Sequence, residues 1–586
     1  MKQIIKLLIL LIIFALAPVS CSQNPAGKSE IKLAIKKQYL NIPLMMERET
    51  PQRKMHLRID GEILGVFNVP FADNEADFYG FIDLSQYQGK TLTIEVDTSI
   101  QSLAEISIDD EIKGTEDLYN EQYRPQFHFS PKRGWLNDPN GLIYHNGEFH
   151  MYYQYNPFGV HWGNMSWGHA ISDDLLYWEE LPAVLYPEPE SGMCFSGAAF
   201  IDDRNQLELK TGSEDVIVAF YLRTSIGLCY AYSNDGGYTM TDYAGNPVLD
   251  HPAEEEKLPD ARMDTPRPLW HEPTQRWIAP TFDYFTNSEG EMLRCVGIYS
   301  SENLVDWTFE SRVEQDRWGD EICGCVDFFE LPIDGDPTNK KWVMVFIEGS
   351  YIVGDFDGHT FYTLEGKPAT AQDRIRPQIV KGNFSATMTW HDMPDDRRVL
   401  ISWMPTWGNH HGMPFSQQMS LPSELSLHST QEGIRLYMNP IEELRELRTE
   451  SQVMTNISLS EAENPLSALK GDVYEIKVGI KPGKGSKTEL DLRGIKIIYD
   501  AETQELSCNE LKSRLVPEDG QINLQFFIDR ASLEIYANQG SLYIPMIHPF
   551  PPDNVNYSLS VSGGESIVET LEIHELSSIW TANSSK

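Results

Sequence analysis

The sequence predicts an all-β protein: a five-bladed β-propeller followed by a C-terminal β-sandwich, with an additional N-terminal β-domain. Three observations carry this expectation. Apolar and polar residues alternate with a period of two along much of the 586-residue chain, the pattern of half-buried strands. Long 3.6-residue periodicity is missing, Pro440-Ile-Glu-Glu-Leu-Arg-Glu-Leu-Arg448 being the one helical stretch. A faint internal repeat also runs through the middle of the chain: Ser172-Asp-Asp-Leu-Leu-Tyr-Trp178 recurs as Ser301-Glu-Asn-Leu-Val-Asp-Trp307, with a weaker echo from Ser233-Asn-Asp-Gly-Gly to Tyr238.

In chain order, Lys2 and Lys6 precede an apolar run from Leu7 to Ala17 and then Pro18-Val19-Ser20-Cys21. That is the basic, apolar, small-residue order of an export signal, and the run is too short for a stable membrane span. Cys21 resembles the acylated first residue of a bacterial lipoprotein; a plain secretory signal containing a cysteine is the alternative. Residues 22–120 are expected to form the N-terminal β-domain, because alternating runs such as Met55-His-Leu-Arg-Ile-Asp60 and Leu92-Thr-Ile-Glu-Val-Asp97 are punctuated by Asp60-Gly61 and Gln88-Gly-Lys90 turns. Residues 121–435 are assigned to the propeller. The repeat spacings of 60 and 69 residues fit one four-stranded blade per period, and about 300 residues at that period make five blades. Residues 436–448 read as a helical linker. Residues 449–586, with segments such as Leu524-Gln-Phe-Phe-Ile-Asp529 and Leu533-Glu-Ile-Tyr536, read as the sandwich.

Composition narrows the partners. With 41% hydrophobic and 23% charged residues the chain can bury sizeable cores. Its 47 Lys plus Arg against 87 Asp plus Glu give a net charge of −40, which repels phosphate backbones and speaks against nucleic acid. The 13 Trp, 26 Tyr and 25 Phe suit either a sugar-binding cleft or well-filled cores. Besides Cys21 there are six cysteines, Cys194, Cys229, Cys295, Cys323, Cys325 and Cys508, too sparse for a disulfide scaffold and expected to be buried thiols. Cys323-Gly-Cys325 lacks a second pair at zinc spacing. In a strand, the adjacent imidazoles of Asn409-His-His-Gly412 would point to opposite faces. Asp334-Gly-Asp-Pro-Thr-Asn339 lacks the closing Glu of a calcium loop and reads as a hairpin turn. No metal and no cofactor are expected.

Trp135-Leu-Asn-Asp-Pro-Asn-Gly141 opens a series that continues with Tyr153-Gln-Tyr-Asn-Pro157, His161-Trp-Gly163, Trp167-Gly-His-Ala-Ile-Ser-Asp-Asp174, Phe195-Ser-Gly197 and Gly354-Asp-Phe-Asp-Gly358. In these motifs and their order the chain resembles glycoside hydrolase family 32, the invertase, inulinase and levanase group. Leu524 to Asn538 resembles the strand pair of that family's C-terminal sandwich, so the resemblance covers roughly residues 123–578. It implies a retaining hydrolase of β-fructosyl substrates such as levan, inulin or sucrose. Retention requires a carboxylate nucleophile and a protonated carboxyl about 5 to 5.5 Å apart. The resemblance assigns the nucleophile to Asp138, although Asn137-Asp-Pro-Asn-Gly141 is also rich in turn formers. It further implies that Trp162 and Phe195 wall the sugar, that Asn137, Gln154 and Ser196 hydrogen-bond its hydroxyls, and that Trp135 belongs to the same substrate-binding set. Ordinary core packing is the alternative for Trp162.

The chain departs from the family at three places. Where relatives carry Arg-Asp-Pro, whose Asp holds sugar hydroxyls, it reads Arg262-Met-Asp-Thr-Pro-Arg267; counting back from Trp270-His271 places Thr265 at the Asp position, and one inserted residue restores Asp264. Where relatives carry Glu-Cys-Pro-Asp it reads Gly324-Cys-Val-Asp327, which puts glycine where the acid/base belongs. Glu321 serves as the acid only if Ile322-Cys323-Gly324 loops it inward; otherwise it is a solvated rim acid. Asn383-Phe-Ser385-Ala replaces an Asp-Phe-Tyr-Ala type segment. A positioned general acid contributes about 10² to 10⁴ in rate, so three functions stay open: an exported, membrane-tethered hydrolase of β-fructans, a non-hydrolytic fructan-binding lipoprotein, and a member with shifted sugar specificity. In each the partner is an oligo- or polysaccharide, and the membrane is touched only through the N-terminal lipid.

Overall fold

The computed structural model describes residues 22–23, 28–98, 101–249, 263–314, 324–375, 382–406, 411–459 and 464–580. The export segment with Cys21, as well as Glu321, Cys323, Asn409 and His410, lies outside the described residues. Strands dominate, and every helix among the described residues is a short 3-10 turn.

Residues 29–109 supply two sheets. One orders Ser29–Ala34, Thr91–Val96, Arg53–Ile59 and Glu62–Val69; the other orders Phe78–Asp83, Tyr39–Leu44 and Ser107–Asp109. Met55, Leu57 and Ile59 point inward between the less buried His56 and Arg58. Asp60 and Gly61, with φ of 51° and 96°, close the hairpin between Arg53–Ile59 and Glu62–Val69, the left-handed pair that matches the twist of the flanking strands. The core of these sheets also takes in Phe158, Val160 and Tyr186 from the next region.

Residues 134–440 build a succession of antiparallel sheets. The first holds Gly134–His145, Glu148–Asn156, Ser166–Ser172 and Glu179–Leu185; Phe415–Ser416 joins it in parallel beside Gly134 and Trp135, returning the chain to its start. The second runs from Cys194–Asp202 through Val216–Arg223 and Gly227–Ser233 to Thr241–Asp242, the third from Leu269–His271 through Arg276–Thr286 and Met292–Ser301 to Thr308–Glu314. A fourth group, Asp327–Ile333 to Phe361–Thr363, links through Ile333 and Leu427 to a fifth that contains Ser385–Thr389, Val399–Met404, Ser423–Thr430 and Gly433–Pro440. Val216–Arg223 is buried along its whole length because alternate residues enter apolar clusters on opposite faces of its sheet.

The sequence repeat has a definite structural meaning. Ser172, Ser233 and Ser301 each end the third strand of a sheet, and the residues that follow make the turn to the fourth. In two of these turns an Asx carboxyl or amide oxygen accepts two backbone N–H groups, Asp174 from Leu176 and Tyr177 and Asn303 from Val305 and Asp306, and in the other Asp235 accepts one, from Thr239. Between them Leu175 and Leu304 adopt φ of 66° and 63° and bury their side chains. Gly236 and Gly237 supply the left-handed geometry in the third turn. Asp334-Gly335 is the turn of the hairpin between Asp327–Ile333 and Asp336–Val345.

The helical reading of 436–448 needs correction. Gly433–Pro440 is a strand paired with Ser423–Thr430, and the helical turn is confined to Glu442–Leu447 and is of the 3-10 type. Leu444 and Leu447, three apart, drop into the core, which a tight three-residue repeat satisfies without an α-helix.

Beyond it, a six-stranded sheet from Arg448–Leu459 to Leu542–Ile547 and a five-stranded sheet from Leu511–Arg514 to Tyr557–Ser562 enclose one apolar core. This body is tied to the preceding sheets by a buried polar cluster. His128 places Nδ1 2.8 Å from Asp529 and Nε2 2.9 Å from Glu534. Asp529 also accepts the N–H groups of Gln126 and Phe127, and Glu534 accepts the N–H of Leu421 and the hydroxyls of Tyr536 and Tyr543. All three side chains of the core trio are fully buried. The two carboxylates outweigh burial and raise the His128 pKa to about 9.

Candidate active site

Asp138 lies in the strand Gly134–His145, half-buried between residues that are themselves enclosed. Its Oδ1 accepts a hydrogen bond from Asn137 Nδ2 at 3.0 Å, and its Oδ2 one from Ser196 Oγ at 2.7 Å. Asn137 is set in turn by Trp135, whose Nε1 donates to Asn137 Oδ1 at 2.9 Å. Ser196 lies on Cys194–Asp202, the first strand of the second sheet, where Gly197 lets the chain pass close to its neighbour: a Cβ there would collide with the carbonyl of Phe220. Phe195, half-buried, stands edge-on to Trp162 with ring centroids 6.1 Å apart. Trp162 is 51% exposed, so it is not a core residue. Gln154 is 2% exposed and donates Nε2 to the carbonyl of Cys194; its amide braces the strand that carries Phe195 and Ser196.

Sequence reasoning did not single out the group beneath the carboxylate. Cys325 Sγ donates to Asp138 Oδ2 at 3.5 Å. Burial first, and then the charges of Asp138 and Asp264, push this thiol well above the usual cysteine range. It therefore stays protonated and acts as a donor, not as a competing nucleophile. The only signal for it in the sequence is its position directly after Gly324, in the segment aligned with the family's acid/base motif.

Asp264 faces the same thiol from the third sheet, and the structure accounts for the extra residue beside it. Asp264 pairs with Phe282, whereas Arg267 donates its N–H to Pro280, so the register slips by one residue between them. Thr265 absorbs the slip. It has φ of 48°, is fully buried, and gives both its N–H and its hydroxyl to Asp264 Oδ1 at 2.8 and 3.3 Å. A β-bulge of this kind re-aims the neighbouring side chain; here Asp264 is half-exposed while Thr265 is buried, its hydroxyl 3.9 Å from Cys325 Sγ.

Two strands of the site are locked by an ion pair that motif reading passed over. Arg267 Nε and Nη2 lie 3.1 and 2.8 Å from Asp327 Oδ1, and Asp327 Oδ2 accepts the N–H of Thr389 at 2.7 Å. Both partners are about 1 to 2% exposed. The pair joins the segment of Asp264 to the segment of Cys325. Gly324 has φ of 54°, a left-handed conformation that favours glycine over any side chain. Ser385 opens the strand Ser385–Thr389, paired with Trp403.

The arrangement presents one half-buried carboxylate, Asp138, whose Oδ2 is held by two donors and whose Oδ1 is held by one, next to an exposed indole and a second carboxylate across a thiol. Such a set can orient a carboxylate for attack on an electrophilic carbon of a polyhydroxylated substrate.

The chain is similar to known proteins over most of its length. Residues 128–440 match the glycosyl hydrolases family 32 N-terminal domain, and residues 443–575 match the glycosyl hydrolases family 32 C-terminal domain. A levanase of Bacillus subtilis is 35% identical over 505 residues, covering 79% of this chain and 72% of its own. An extracellular exo-inulinase of Aspergillus ficuum is 28% identical, covering 79% of this chain and 96% of its own. Among solved structures, the exo-inulinase of Aspergillus awamori superposes with a TM-score of 0.67 at 26% identity, covering 79% of this chain and all of that one.

Proposed function

The chain belongs to glycosyl hydrolases family 32, and from that premise we propose that it cleaves β-fructosyl bonds of levan, inulin or sucrose with retention, Asp138 being the nucleophile. It is a glycosyl hydrolase of the fructan type, as the levanase and exo-inulinase relatives are. The observation that supports the mechanistic reading is the hydrogen bonding of Asp138: Ser196 and Cys325 hold Oδ2, and Oδ1 is the less committed oxygen.

In this reading Oδ1 attacks the anomeric carbon while the leaving oxygen takes a proton from a carboxylic acid, and water then releases fructose from the covalent fructosyl-enzyme. Glu321 is the proposed acid and base. Asp264, held by Thr265, binds the sugar hydroxyls, together with Asn137 and Ser196. Phe195 and Trp162 wall the ring, Gln154 steadies that wall, and Trp135, 2% exposed, serves the site by orienting Asn137. The successive sheets of residues 121–435 are read as the five blades of a propeller with Asp138 at its axial pocket, preceded by a β-domain at 22–120 and followed by a β-sandwich at 449–586. Export through residues 1–21 and acylation of Cys21 complete the proposal; loss of fatty-acid labelling in Cys21→Ala tests that part.

The decisive experiment on the mechanism is Asp138→Asn. Release of reducing sugar from every fructoside disappears, while affinity for the same sugars changes by less than about tenfold, because the covalent step is removed and most hydrogen bonding is kept. A variant with wild-type turnover rejects the assignment.

A further inference from the structure

We infer that the N-terminal sheets complete the substrate cleft: the loop between Tyr39–Leu44 and Arg53–Ile59 forms a subsite for the part of a fructan chain beyond the bond that is cut. This rests on the fructan reading above and extends it to residues outside both family-matched regions.

The cleft is a cavity of about 460 Å³ walled on one side by Glu47, Arg48 and Gln52 and on the other by Trp162 and Trp135. Its size falls within the range of about 300 to 1,000 Å³ typical of small-molecule clefts. It adjoins the proposed nucleophile along two routes. Trp135 leads through Asn137 to Asp138 Oδ1, and Trp162 leads through Phe195 to Ser196 and Asp138 Oδ2. On this reading a chain whose terminal unit sits over Asp138 extends toward the Trp162 wall of this cavity.

Hydrogen bonds anchor both ends of the loop. Met45 N–H bonds to Pro70 O, Met46 N–H to Asp77, and Arg53 forms a bidentate pair with Asp73. His161, the residue before Trp162, lies with Nε2 3.0 Å from the carbonyl of Met46. Asn164, two residues after Trp162, exchanges hydrogen bonds with the backbone of Asn68 at 2.7 and 2.8 Å. The segment bearing Trp162 is thus fastened to the N-terminal sheets on both sides of the indole.

The chemistry suits a neutral polyol. A half-exposed indole face stacks on the apolar side of a sugar ring, while a carboxylate, a guanidinium and an amide together offer acceptors and donors to hydroxyls, which need both. A net charge of −40 disfavours an anionic polysaccharide. Glu47, Arg48 and Gln52 are exposed, so their replacement leaves the core intact.

The test measures affinity by calorimetry in the full-length Asp138→Asn protein, using sucrose and inulin-type and levan-type pentasaccharides. Combining Arg48→Ala with Gln52→Ala should shrink the preference for pentasaccharide over sucrose by about thirtyfold or more, the effect of losing one charge-assisted and one neutral hydrogen bond, and Arg48→Lys should recover part of it. Thermal unfolding should match that of the parent. If wild-type enzyme releases fructose but the double variant keeps the full preference with both pentasaccharides, the inference is overturned and the hydrolase reading stands. If the wild type releases no sugar and Asp138→Asn binds none of the three probes, the fructan reading falls and takes this one with it.

Discussion

The thiol of Cys325 has a role set by its surroundings and not by its reactivity. Enclosed and flanked by two carboxylates, it should resist iodoacetamide in the native protein at pH 8 and react fully once the chain is unfolded, as peptide mass spectrometry would show. Ser196 supplies the shorter bond to the same carboxylate oxygen; Ser196→Ala should lower kcat by about ten- to a hundredfold, the cost of one hydrogen bond to a charged group. If Glu321 is the acid, Glu321→Gln should slow cleavage of natural fructan by about 10² to 10⁴ and slow an activated aryl fructoside far less, because that leaving group needs little protonation; equal losses on both substrates would reject the role. The meeting of Asp138 and Ser196 was legible because short motifs carry both. The contact of Cys325 with Asp138 was not, since it joins positions 187 residues apart and no local pattern encodes it.

At the scale of elements, the bulge at Thr265 determines which way Asp264 faces. Removing the extra residue restores an unbroken register and turns every side chain between it and the next pairing to the other face. Deletion of Thr265 should therefore reduce fructan hydrolysis at least about a hundredfold while circular dichroism shows the strands intact. The Arg267–Asp327 pair behaves differently. Arg267→Met strands a buried carboxylate and should cost about 3 to 5 kcal/mol in urea denaturation, and adding Asp327→Asn should return part of that loss. Sequence alone left Asp264 and Thr265 both open because a bulge changes no residue type, only the pairing. The repeated turns were readable for the opposite reason: Asp174 and Asn303 hold their turns by bonds to residues two and three positions on, so the local sequence contains the whole device. The helical pattern near Glu442 misled because leucines three apart satisfy a 3-10 turn as well as an α-helix.

Across the whole molecule, the cluster of His128, Asp529 and Glu534 joins residues some 400 positions apart in the chain. The folded pKa of His128 is raised to about 9 from an ordinary 6.5. Its stabilising contribution is thus complete below pH 6.5 and is lost as pH rises through about 9. The advantage of wild type over His128→Gln in thermal unfolding should be largest near pH 6 and should narrow by pH 10, the change being on the order of 3 kcal/mol; an advantage that grows with pH would contradict the charged state. The same contacts also impose an order in time. Asp529 receives the N–H groups of Gln126 and Phe127, and Trp580 Nε1 donates to the carbonyl of Pro125, so backbone groups made early in synthesis find their partners only when the last tenth of the chain emerges. A nascent chain must carry those groups without their protein partners through most of its translation, and a polypeptide ended at residue 448 should aggregate unless the missing segment is supplied in trans.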